Sequence, residues 1–225
     1  SEKIEINFVD KNPSINGKQV NLANPSISSI KNNLSYVRAE ADTIALEFRL
    51  HDSQIHKKHL SLNDTANEIF RVLEQSRIEA KGSIIFKGIK SNIFKKHNID
   101  INKIDQKKES NVIINAFKYV SYSELTNQIL KGKYSSYKKI IKQKLGNKYN
   151  IFFDNLKKNI NDQEKFANQI QSILDDLGFF EKTNPNNSDK ETSEQSNEST
   201  NDESNDYLNN QLDEQSDIKS PTTKV

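Results

Sequence analysis

The chain of 225 residues contains no cysteine and no methionine, and only a third of it is apolar. Without cysteine there is no disulfide, no thiolate metal site and no cysteine nucleophile. Such a composition fits a reducing cytoplasm. No apolar run approaches the ~20 residues that cross a bilayer, so no membrane partner is expected. No signal peptide is visible. No glycine-rich phosphate loop is present, so ATP is not expected to bind through one. No HExxH pair and no defensible Ser/His/Asp order occurs, and no catalytic residue is expected. The absent initiator methionine suggests a fragment or split product of a longer protein.

The shortage of apolar residues is not uniform. Residues 181–225 carry 11 Asp/Glu against 4 Lys/Arg and are otherwise mostly Asn, Ser, Thr and Gln. Such a segment cannot bury enough apolar surface to offset its chain entropy, so a disordered acidic low-complexity linker is expected there. Residues 1–180 keep 29 basic and 20 acidic residues and enough Ile, Leu, Phe, Tyr and Val for one core. The formal total of +2 thus hides two regions of opposite sign. The basic clusters Lys57-Lys58 and Lys138-Lys139 are short, and no nucleic-acid motif accompanies them, so no nucleic-acid partner is expected.

Periodicity predicts a mainly α domain with a small N-terminal β-hairpin. Ile4, Ile6 and Phe8 alternate with polar residues as in a half-buried strand, Asn16-Gly17 marks a turn, and Val20 and Leu22 suggest a second strand. A helix is predicted over Ile27–Leu50, broken near Asn32. Ser61 or Asn63 can cap a second, running to about Lys81. Gly82 and Gly88 punctuate a continuation to Lys96, and 98–108 reads as a loop. Val112–Leu130 follows, ended by Gly132, then a helix carrying Tyr137, Ile140, Ile141 and Leu145, and another with Phe152, Phe153, Leu156 and Ile160. The last has Asn161 as cap, Glu164 as capping-box partner, and a stripe of Phe166, Ile170, Ile173, Leu174 and Leu177 up to Gly178.

The first two helices carry charge in unusual places. Val37, Ala41, Ile44, Ala45 and Phe48 form one stripe, with Glu40, Glu47 and His51 along its edge and Arg38, Asp42 and Arg49 facing water. Ala66, Ile69, Phe70, Leu73 and Ala80 form the other, and Arg77 falls in its middle. A guanidinium on a core face needs a carboxylate or several carbonyls, because an unpaired buried charge costs several kcal/mol. An inter-helical cluster of Arg77 with Glu40 and Glu47, and with His51 and Glu74 in reach, is therefore expected. The alternative is an arginine that snorkels to the surface. Between the helices, His51, Asp52, His56 and His59 lie close in sequence, with Glu74 and Glu79 on the next helix. These are competent Zn or Co ligands. A structural role for His51 and Asp52 is the favoured reading, which leaves His51, His56 and Glu74 as weak metal candidates, with His56 and His59 placed in a loop. His97 looks isolated.

Several of these segments, in order, resemble one family. Arg38-Ala39-Glu40-Ala41-Asp42 with Ala45-Leu46 is similar to its R-x-x-AD-x-x-AL helix, and His51-Asp52 with His56 to its HD-x-x-x-H connector. Leu73-Glu74-Gln75-Ser76-Arg77-Ile78-Glu79-Ala80 with Gly82 resembles its LEQ-x-R-[VI]-EA-x-G segment, and Gly88 with Asn92 the G-x-x-x-N beyond. Asp162-Gln163-Glu164-Lys165-Phe166-Ala167 and Asp176-Leu177-Gly178 are similar to its closing helix. The family is that of the cobaltochelatase subunit CobT, and the likeness runs over residues 4–180 with a weaker middle between Phe94 and Lys158. It implies an accessory subunit of an ATP-dependent cobaltochelatase acting on hydrogenobyrinic acid a,c-diamide. It also implies a AAA+ CobS-like partner, a large tetrapyrrole-binding CobN-like partner, and ATP, Mg and Co used by the complex, with no cofactor on this chain. Family members continue into a von Willebrand A domain with an Asp-x-Ser-x-Ser loop, a triplet that is lacking here. Alternatives are a related AAA+/von Willebrand A complex that remodels another metalloprotein, or a degenerate metallohydrolase built on His51, His56 and Glu74.

Overall fold

A computed structural model describes residues 4–10, 14–103 and 109–179. The expected linker over 181–225 lies outside the described residues. Three short strands, β1 (Glu5–Val9), β2 (Ser14–Asn16) and β3 (Gln19–Ala23), precede eight described helices. These are α1 (Ile27–Leu50), α2 (Ser53–Lys58), α3 (Asp64–Ile85), α4 (Lys87–Lys103), α5 (Glu109–Thr126), α6 (Tyr134–Leu145), α7 (Lys148–Lys158) and α8 (Gln163–Asp176).

The mainly α fold is as the periodicity predicts, but the sheet is richer than a hairpin. The hairpin joins β2 to β3, with Gly17 supplying the positive φ its turn requires. β1 instead pairs parallel to β3, with Ile6 opposite Val20, in the order β1-β3-β2.

Helix α3 is the centre of the domain. It packs against α1, α4, α5 and α8. From Val72 to Ser83 it is buried almost all round, on its polar as well as its apolar positions. Asn63 starts it, its side chain accepting from the Ala66 amide at 3.0 Å. Gly82 lets α1 approach: a Cβ there would collide with the side chain of Leu46.

Local differences from the predicted elements have physical causes. The break in α1 falls at Asn33, which leaves the helical region (φ −140°, ψ 43°). Beyond it α1 meets other elements on two sides, β2 and β3 of the sheet on one and α3 and α4 on the other; Phe8 and Leu22 line one small cavity with Val37 and Ala41, while Ala39, Ile44 and Leu46 are buried. The single stripe predicted there is therefore not the buried set, and Phe48 is exposed. Helix α4 runs through the predicted loop as far as Lys103. Its Asn98 and Asn102 side chains turn back to carbonyls four residues earlier (2.9 Å each), so they do not break it. His56 lies in the short helix α2 and His59 caps its C-terminus, where a loop was expected. Helix α8 is capped by Asp162, not Asn161: its carboxylate accepts from the Lys165 amide at 3.1 Å. Gly178, at φ +75°, ends the helix as expected.

Candidate interaction site

Burying α3 on all sides puts charged groups where water cannot reach them. Arg77 is 1% exposed and Glu74, one turn earlier, 3%. They form a two-pronged pair: Nε donates to Glu74 Oε2 at 2.8 Å and Nη2 to Oε1 at 2.7 Å. The rest of the guanidinium reaches three other segments. Nη2 also donates to the Leu50 carbonyl at the end of α1 (2.8 Å) and to Gln163 Oε1 at the start of α8 (3.1 Å). Nη1 donates to the Ile160 carbonyl after α7 (3.3 Å). One planar cation thus ties α1, α3 and the α7–α8 turn, the fork geometry that suits arginine better than lysine.

Gln163 extends the tie. Its Oε1 accepts from the Asp52 amide and its Nε2 donates to the Asp52 carbonyl, both at 2.8 Å. Asp52 caps α2, accepting from the amides of Gln54 and Ile55. His51 Nδ1 meets Glu74 Oε1 at 3.0 Å. Burial by itself would raise the Glu74 carboxyl, yet the hydrogen bonds and charges of Arg77 and His51 outweigh it and hold the group below the ordinary range. His56 packs edge-on against His51 and Phe70. Burial, with the His51 charge second, lowers its pKa to about 4, so it is neutral at physiological pH. Its Nδ1 is buried without a hydrogen-bond partner among the described residues.

The expected pairing of Arg77 with Glu40 or Glu47 does not occur. The carboxylate it uses is the one on its own helix, which reaches the guanidinium without an inter-helical span, and α1 contributes a terminal carbonyl instead. Glu47 stands near His51 and Arg71, where burial pushes its carboxyl up. Glu40 lies beside Val37 and Ala41 under the sheet, also raised by burial and tempered by Lys96. Of the metal candidates, His51, His56 and Glu74 do sit together. However, both oxygens of Glu74 are engaged by Arg77 and one also by His51. Among the described residues no group of three His, Asp or Glu is arranged to hold a metal ion. His59 has both ring nitrogens engaged, one on the Ile55 carbonyl and one on Asn168.

Two further polar groups escaped the sequence reading. His97, set aside as isolated, is buried with its Nε2 2.7 Å from Glu79 Oε2, against Tyr119 and Tyr122. Burial would raise Glu79, but the charge and hydrogen bond of His97 hold it low. The signal was present: His97 falls between Ile93 and Ile101 at four-residue spacing, on the buried side of α4. Nearby, Asp100 accepts from the Tyr36 hydroxyl (2.9 Å) and from Lys96 Nζ (2.8 Å), which joins α1 to α4. Asn92 donates to Asp42 at 2.9 Å, so Asp42 faces α4 and not open water.

The contacts of Arg77 with Leu50, Ile160 and Gln163, and of Asp52 with Gln163, join segments far apart in sequence, and Arg77, Asp52 and Gln163 belong to the motif segments Leu73–Ala80, His51-Asp52 and Asp162–Ala167. A family model described as cobalamin biosynthesis protein CobT matches residues 1–224. The chain belongs to the CobT family, that of a cobaltochelatase subunit within a multi-subunit complex. No curated protein and no solved structure matches it. Among the described residues no helix is long and apolar enough to cross a membrane.

Proposed function

We propose that the chain is an accessory subunit of an ATP-dependent cobaltochelatase, which inserts Co(II) into hydrogenobyrinic acid a,c-diamide during cobalamin synthesis in the cytoplasm. It acts by assembly and not by chemistry on its own side chains. A AAA+ subunit hydrolyses ATP with Mg, a large subunit holds the tetrapyrrole, and this chain couples the two. Cobalt is the substrate of the complex. The observation that supports an assembly role is the Arg77 cluster. Its motif residues spend their hydrogen-bonding capacity on one another and on backbone carbonyls, as a group built to hold helices in register does. Glu74, the carboxylate a metallohydrolase would need, is fully engaged by Arg77 and His51.

The test is reconstitution. The chain should co-purify with a AAA+ CobS-like subunit, and ATP-dependent cobalt insertion by the complex, followed by the absorbance of the tetrapyrrole, should require it. Alone, it should neither hydrolyse ATP nor insert cobalt. ATP turnover by the purified chain that disappears on a single substitution within it would overturn the reading. Full insertion by the other subunits without this chain would do so too.

A further inference from the structure

Strand β1 leaves one side open, and that side is apolar. In its parallel pair with β3 the Glu5 amide donates to the Lys18 carbonyl (3.0 Å) and the Val9 carbonyl accepts from the Asn24 amide (2.9 Å). With Glu5 opposite Gln19 and Val9 opposite Ala23, the backbone groups of Glu5, Asn7 and Val9 are spent on β3. Those of Ile6 and Phe8 point the other way, where no described strand meets them. The side chains of Ile4, Ile6 and Phe8 share one face of the strand. They are 43%, 59% and 65% exposed, while Val20, opposite Ile6 on β3, is buried. Such an edge is a template for another strand.

We propose that β1 pairs antiparallel with β1 of a second copy, about a two-fold axis at Ile6, joining two three-stranded sheets into one of six. The occupant follows from self-complementarity, which a two-fold interface demands. With the axis at Ile6, the outward-facing backbone groups of Ile6 meet those of Ile6 in the second copy. Ile4 lies opposite Phe8 on both sides of the axis, so all the apolar side chains of the face pair with apolar ones. Glu5, the one charged residue between Ile4 and Val9, lies opposite Asn7, so within Ile4–Phe8 no like charges meet. Moving the axis to Asn7 would set Ile4 against Asp10. Two five-residue strands and three side chains a copy fall short of the ~1,200 Å² of a stable complex, so the pairing is weak and concentration-dependent. It gains where an assembly already holds copies side by side. The inference does not depend on the function proposed above.

Because the chain has no cysteine, one introduced thiol is unique. Under mild oxidation of the full chain, Ile6→Cys should form a disulfide-linked dimer several-fold faster than Asn7→Cys or the exposed control Lys165→Cys. An equal mixture of Ile4→Cys and Phe8→Cys should cross-link faster than either alone. Ile6→Pro removes an outward-facing donor and leaves the ladder to β3 untouched. It should keep the parent's far-ultraviolet circular dichroism and melting temperature and lose concentration-dependent sedimentation. The proposal is overturned if Ile6→Cys cross-links no faster than Lys165→Cys and the unsubstituted chain sediments as a monomer up to millimolar concentration.

Discussion

Replacing Arg77 probes the centre of the domain. Arg77→Ala removes two prongs to Glu74 and the donors to the Leu50 and Ile160 carbonyls and to Gln163. What remains is a buried carboxylate with His51 as its partner, and a buried carbonyl at Ile160 and a half-buried one at Leu50 without theirs. Breaking a buried pair in this way costs about 3–5 kcal/mol. Marginal domains hold only ~5–15 kcal/mol in total, so roughly a fifth or more of the stability is at stake. For a domain of this size the melting temperature should fall by on the order of 10 °C. Arg77→Met keeps most of the stem volume and should be nearly as damaging, since the loss is of charge and donors and not of packing. The double variant Arg77→Met with Glu74→Leu removes the stranded carboxylate as well and should recover a large part of the loss, as buried ion pairs replaced by apolar groups often do. Acid should act in the same direction as the single substitutions. Glu74 has a depressed pKa in the fold, so its contribution is complete above the unfolded carboxylate value and disappears as pH falls through the folded one. Thermal and urea denaturation near neutral pH and in acid decide the matter. Single variants that melt within a degree of the parent would refute the account. So would a double variant less stable than both.

Other substitutions test the neighbouring groups. His97→Leu should leave the buried Glu79 carboxylate without its imidazole partner and cost about 1–3 kcal/mol in chemical denaturation, against near-parent stability if the pair were incidental. The acid limb should change too: Glu79→Gln, which cannot ionise, should flatten the loss of stability on acidification that the depressed Glu79 carboxyl contributes in the parent. Gly82→Ala should lower stability by about 1–3 kcal/mol through overpacking on Leu46, less any gain in helix propensity. A variant that melts higher than the parent would show that Leu46 moves freely. Gln163→Leu should cost about 1 kcal/mol, because Arg77 loses one of its acceptors while the exposed Asp52 backbone can turn to water. Amide exchange at Asp52 should rise at the same time, and unchanged exchange there would contradict the bridge.

The legible parts of this fold were those set by short-range rules. Helix α8 announces itself through a stripe of five apolar residues, a capping side chain and a terminal glycine, and only the cap shifted by one position. Helix α3 could be read as a core helix because Ala66, Ile69, Phe70, Leu73 and Ala80 recur at helical spacing. The fact that Arg77 lies in that stripe required a buried partner, and Arg77 is buried. Which partner was not legible, because a helical projection gives the direction of a side chain and not what stands opposite. Glu40 and Glu47 looked suitable while α1 was imagined with one buried face. The sheet and the helices cover it from two sides, and that arrangement directs both glutamates elsewhere. The parallel pairing of β1 with β3 is non-local and leaves no alternation signal of its own. His97 was overlooked because polar character was weighed above its place between Ile93 and Ile101.

The span of the Arg77 contacts bears on how the domain forms during synthesis. Arg77 and its most distant partner, Gln163, are 86 residues apart. At ~5–20 residues per second, roughly 4–17 s separate their appearance on the ribosome. Throughout that interval Arg77 and Glu74 can hold each other, but the Arg77 donors meant for Ile160 and Gln163 have nothing to meet. The helices already made therefore wait as an incomplete shell, with water where α8 will lie, and α8, the last of the described helices, is the one that shuts it. A nascent chain halted before Ile160 should be open to protease around α3, and one released after α8 should be closed.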